Sequence, residues 1–158
     1  IVTSEGKEKD ETTMVLPQKY HVWDIRGRTY LGFADRLDIQ LDLQPRFFAL
    51  LPANIKGMSM QSSGARVPGQ ALKLQVGIDF GDVMNLISGS IRHGIHLEVF
   101  SPDGQELEWF RGNRLFSGGQ LEVMLPISFS AKPGRYRIIA EHVITGMKAE
   151  TTFDVEAK

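Results

Sequence analysis

Apolar and polar side chains alternate with a period of two along much of this chain. Leu72, Leu74, Val76, Ile78 and Phe80 interleave with Lys73, Gln75, Gly77 and Asp79. Ile95, Leu97 and Val99 interleave with His96, Glu98 and Phe100, and Leu121, Val123 and Leu125 repeat the rhythm. A strand sends successive side chains to opposite faces, so each segment has one apolar face and one wet face. Residues 136–143 and 147–155 form two further runs around Thr145-Gly146. Runs at 55–60 and 105–111 bring the expected strands between 55 and 156 to seven. Ser101-Pro102-Asp103-Gly104 should join 94–100 to 105–111 as a hairpin, because Pro presets φ, Asp bonds its own backbone and Gly accepts positive φ. Residues 112–119 read as a loop. So do 81–92, where Val83, Met84, Leu86 and Ile87 fit one helical turn.

Short strands with turn signals about every ten residues suggest an immunoglobulin-like sandwich over 53–158. Tyr136 sits just past Pro133-Gly134, where a tyrosine corner would tie the crossover loop to the sheet; an ordinary core tyrosine is the plain alternative. The front of the chain is different. Residues 1–11 carry six charged side chains and almost nothing to bury, as a disordered tail or linker does. Residues 12–52 read as a small antiparallel β unit. It starts with a strand at 12–16 that Pro17 ends, then runs at 20–25 and 29–33, with Gly32 as a bulge. Leu37, Ile39, Leu41 and Leu43 then alternate with Arg36, Asp38, Gln40 and Asp42. The apolar run 47–51 reads as a strand covered on both sides.

Composition narrows the function more than the fold. The chain has 158 residues, 16 Gly, 7 Pro and no Cys. A folded chain of this length hides roughly 68–70% of the surface its unfolded form exposes, enough for a core without staples. Zero Cys excludes a disulfide scaffold, a thiolate zinc site and a Cys nucleophile. The net charge of −1 provides no broad basic field for nucleic acid or an anionic membrane. No run approaches the roughly 18 apolar residues of a membrane span. The first residues lack the charged-then-apolar order of a signal peptide, so the chain is cytosolic or a leader lies outside this sequence.

No catalytic constellation emerges. His93 and His96 are the closest histidines, but on a strand they point to opposite faces, which disfavours a metal site. His21 and His142 read as isolated surface or strand-edge residues. Glu106 and Glu108 share one face, as do Asp38 and Asp42, each pair alternating with apolar neighbours; that is a solvated sheet face, without the burial a catalytic dyad needs. Nucleotide, hydrolase-elbow, zinc-protease and calcium-loop patterns are missing, and no Asn opens a glycosylation sequon. Aromatics are the remaining lead, because sugar rings lay their apolar faces on Trp or Tyr. Trp23, Tyr30 and Trp109 are the candidate ligand-binding residues, with Phe110 beside them. Trp109 falls in register with Leu107, so an inward core position competes with a binding role, and Trp23 is equally ambiguous.

The run Tyr20-His21-Val22-Trp23-Asp24-Ile25-Arg26-Gly27-Arg28-Thr29-Tyr30-Leu31-Gly32 resembles the C-terminal region of bacterial β-galactosidase-like glycoside hydrolases of planctomycete type. The resemblance continues through Phe47-Phe48-Ala49-Leu50-Leu51-Pro52, Pro102-Asp103-Gly104, residues 133–138 and 143–155, with His142 where Asp is usual. It spans about residues 14–156. These are turn and core motifs, so they imply a module and no chemistry. In such enzymes the catalytic carboxylates sit on an upstream (β/α)8 barrel of about 250 residues, more than this chain holds, and no active-site residue carries over.

The expectation is therefore an all-β protein, an immunoglobulin-like β-sandwich preceded by a small antiparallel unit that packs on it or on another domain. It is expected to be a non-catalytic accessory module, with no metal or cofactor, acting in domain packing or assembly. Its expected partner is an upstream catalytic domain or a second copy, in a periplasmic or extracellular setting implied by the resemblance. The alternatives are a carbohydrate-binding module and a structural or adhesion domain.

Overall fold

The computed structural model describes residues 10–41, 44–64, 66–81 and 91–157. The chain divides into two compact units at Asn54/Ile55. Residues 1–9 of the expected tail, Asp42, Leu43 and the helical turn at 83–87 lie outside the described residues, while residues 10 and 11 of that tail belong to a strand.

The first unit is one antiparallel sheet. Its strands are β1 (Asp10–Asp24), β2 (Thr29–Leu41) and β3 (Phe48–Leu51), in the order β2-β1-β3. β1 starts two residues before the expected boundary and runs on past Pro17. Pro17 does not end it, because the ladder passes from Val15↔Arg36 to Tyr20↔Ala34 and leaves residues 16–19 in a wide bulge. A proline lacks the N–H a ladder needs, and an unpaired bulge needs none. Leu31 is the extra residue of a second bulge, between Val22↔Gly32 and Trp23↔Tyr30, and Gly32 takes φ +113° there, as its sequence context suggested. The β1–β2 turn is held by Asp24, whose Oδ1 accepts from the N–H groups of Arg26 and Gly27, each at 3.0 Å. β3 is not covered on both sides. It is an edge strand, and Leu50 is exposed while Leu51 is buried.

The second unit is a two-sheet sandwich. Its strands are β4 (Gly57–Gly64), β5 (Ala71–Asp79), β6 (Arg92–Phe100), β7 (Gly112–Ser117), β8 (Gln120–Pro126), β9 (Gly134–His142) and β10 (Lys148–Val155). One sheet runs β4-β5-β8 and the other β10-β9-β6-β7, with every neighbouring pair antiparallel. In a constant-type immunoglobulin sandwich the fourth strand joins the sheet of the first two. Here the fourth strand, β7, pairs with β6 instead. Burial along β5 alternates strictly, with Leu72, Leu74, Val76 and Ile78 inside. Ile95, Leu97 and Val99 of β6 and Ile138 and Ala140 of β9 close the core from the opposite sheet. Stability rests mainly on removing this apolar surface from water.

Two expectations in this unit fail together. Residues 105–111 do not form the second arm of a hairpin, and 112–117 are not a loop. The turn at Ser101–Gly104 forms, with Gly104 N–H donating to Ser101 O at 2.9 Å. Beyond it only a single bridge, Phe100↔Glu106, precedes a 3₁₀ turn over Glu108–Phe110. The strand that takes this place beside β6 is β7, whose half-buried Arg114 and Phe116 alternate with exposed residues, Phe116 packing against the core. Its Gly112 and Asn113 mimic a loop in sequence.

Candidate functional site

The 3₁₀ turn decides where Trp109 points. In such a turn residues three apart lie on one side. Leu107 and Phe110 are so related, with Phe110 N–H donating to Leu107 O at 2.9 Å, and both pack against the core. Trp109 is thereby turned outward and is 68% exposed. The inward position that period two suggests for it is corrected by this change of period.

Trp109 borders a cleft of about 230 Å³ at one end of the sandwich. The cleft lies between the 101–110 segment and the crossover from β8 to β9. Its floor is apolar, made by Leu107, Leu125, Tyr136 and Phe153, and the Tyr136 and Phe153 rings stack at 5.1 Å. Tyr136 is a tyrosine corner: its hydroxyl donates to Lys132 O at 3.0 Å, fixing the crossover loop that forms one wall. The rim is polar. Ser128 and Ser130 hydroxyls lie 3.0 Å apart, and the Gln105 side chain has no partner among the described residues. The charged lining residues are Asp103 and Lys132, joined at 2.7 Å. The Lys132 ammonium, with the Ser101 hydroxyl also on it, holds the Asp103 carboxyl down at about 2, and Asp103 in turn raises Lys132.

A second, shallower hollow of about 600 Å³ adjoins the first and shares Trp109, Pro126, Ile127, Ser128 and Ser130 with it. Phe129, 80% exposed, lines this hollow but not the first. The ring has a fitted seat. A Cβ on Gly69 would stand in the Phe129 ring, and Gly69 has φ +88°. Sequence reasoning missed Phe129, which lies in a Ser-rich crossover with no periodic context.

The other aromatic candidates belong to the first unit. Trp23 and Tyr30 pair across β1 and β2, with ring centroids 5.3 Å apart. Trp23 is 6% exposed and Tyr30 38%. His21 is on the central strand rather than isolated at an edge: its Nδ1 lies 2.7 Å from the Tyr30 hydroxyl and its ring 4.6 Å from that of Phe33. Trp23 and Tyr30 are thus brought together, whereas Trp109 stands in the second unit.

Several of the remaining titratable candidates have structural partners. Glu106 Oε1 faces Arg111 Nε at 3.4 Å, and Asp38 accepts from the Thr13 hydroxyl at 2.8 Å. His93 and His96 do point to opposite faces: His96 Nδ1 meets Asn113 Oδ1 at 2.9 Å, and His93 is buried. His142 is corrected most strongly. It is fully buried beside His93, because its parity on β9 matches the inward Tyr136, Ile138 and Ala140. Among the described residues no group of three or more potential metal ligands gathers, and no helix is long and apolar enough to cross a membrane. No family model and no curated protein matches the chain.

Proposed function

We propose that this chain is a non-catalytic accessory module whose immunoglobulin-like unit binds carbohydrate in the Trp109 cleft. The observation that carries the reading is the outward Trp109 at an apolar cleft with a hydroxyl- and amide-bearing rim. A sugar ring has an apolar C–H face and an equatorial belt of hydroxyls. The indole takes the first and Gln105, Ser128 and Ser130 take the second. The exposed Val15, Phe33 and Phe47 of the first unit support a further role in packing against another domain. A glycan array followed by calorimetry tests the binding role. Binding that Trp109→Ala abolishes, with the far-ultraviolet spectrum unchanged, supports it; failure to bind any glycan rejects it.

A further inference from the structure

We infer, resting on that carbohydrate reading, that the groove takes an internal stretch of a neutral glycan chain, with consecutive rings against Trp109 and Phe129. Trp109 is a wall common to both hollows, so a chain that contacts it extends from one into the other. Phe129 lines the outer hollow alone, on a seat that a glycine at position 69 leaves open. An exposed phenyl ring held in a fitted place is a platform for a second apolar face, and a single terminal sugar would leave it unused. The rim supplies the charge preference. Among the described residues its charged side chains, Asp103 and Lys132, neutralise each other at 2.7 Å, and the outer hollow has no charged lining residue. Among the described lining residues an anionic sugar finds no cation but the paired Lys132 and meets the Asp103 carboxylate, whereas hydroxyls find serine and glutamine groups.

The same geometry makes Asp103 a specificity-determining residue. Asp103→Asn releases the Lys132 ammonium and should admit a carboxylate. The test is calorimetry of the full chain with gluco-, xylo- and galacto-oligosaccharides of one to four rings, and with galacturonate oligomers. The expected result is two-ring and longer neutral chains binding at least about tenfold tighter than single sugars, with Trp109→Ala and Phe129→Ala each costing about tenfold. Galacturonate should bind only D103N, and added salt should remove that binding. Single sugars binding as tightly as chains, unchanged affinity in Phe129→Ala, or a wild-type preference for galacturonate would overturn the inference. Binding that needs Trp109 but not Phe129 rejects the two-ring arrangement alone. Binding to no glycan rejects the carbohydrate reading with it. Thermal unfolding of each variant separates lost contact from lost fold.

Discussion

His93 Nδ1 and His142 Nε2 stand 3.3 Å apart inside the sandwich, on neighbouring strands β6 and β9. The network fixes their protons. Thr145 N–H donates to His142 Nδ1 at 3.2 Å, so His142 carries its hydrogen on Nε2 and donates it to His93. The second hydrogen of the pair then sits on His93 Nε2, which has no hydrogen-bond partner among the described residues; the His93 ring packs against Phe80 and Phe116, at 5.2 and 5.5 Å between centroids.

The pair makes stability depend on pH. Burial, with the neighbouring His93 adding to it, holds His142 down at about 4, and burial lowers His93 as well. The unfolded chain binds these protons near pH 6.5, the native chain only near 4 for His142. Stability is therefore full above pH 6.5 and is lost as pH falls toward 4, by about 3 kcal/mol through His142. Urea unfolding of wild type and His142→Asn across that range checks this. The variant should lose most of the slope, and an unchanged slope would reject the assignment.

The tyrosine corner should contribute a single hydrogen bond. Tyr136→Phe keeps the ring stacked on Phe153 and deprives Lys132 O of its donor. A loss of about 1 kcal/mol in denaturant unfolding is expected, with weaker glycan binding because the cleft wall loosens.

Leu74 is fully buried at the centre of β5. Leu74→Ala should cost about 2–5 kcal/mol, from lost transfer energy plus the cavity left behind. Equilibrium unfolding measures it. A cost under about 1 kcal/mol would mean that the β4-β5-β8 sheet does not pack as described.

Gly32 has open space around its Cβ position but φ +113°. Gly32→Ala should therefore cost about 1–3 kcal/mol through backbone strain alone, without any clash. A thermal melt that follows the first unit reports it; an unaltered melting temperature would place the bulge elsewhere.

Much of the sandwich was legible because β5 and β8 keep one apolar face throughout and β6, β9 and β10 keep a mostly apolar one, and period two is a direct consequence of pleating. The failures occur where the period changes or the edge is polar. Leu107 and Trp109 look like strand neighbours until a 3₁₀ turn pairs Leu107 with Phe110, a switch three residues long that alternation does not reveal. β7 hides behind Gly112 and Asn113, since an edge strand with one free side tolerates such residues. Pro17 suggests a strand end because nothing local encodes a wide bulge. His142 was readable in principle: its parity with Ile138 and Ala140 places it inside, and only its polarity argued otherwise.

Intrinsic tryptophan fluorescence during titration with a soluble oligosaccharide series tests the binding account most directly. Trp23 is buried in the first unit and Trp109 is exposed at the cleft, so the two report separate places. A saturable shift that survives Trp23→Phe and vanishes in Trp109→Phe is the predicted result. A shift that persists in Trp109→Phe, or no shift with any glycan, would contradict the account.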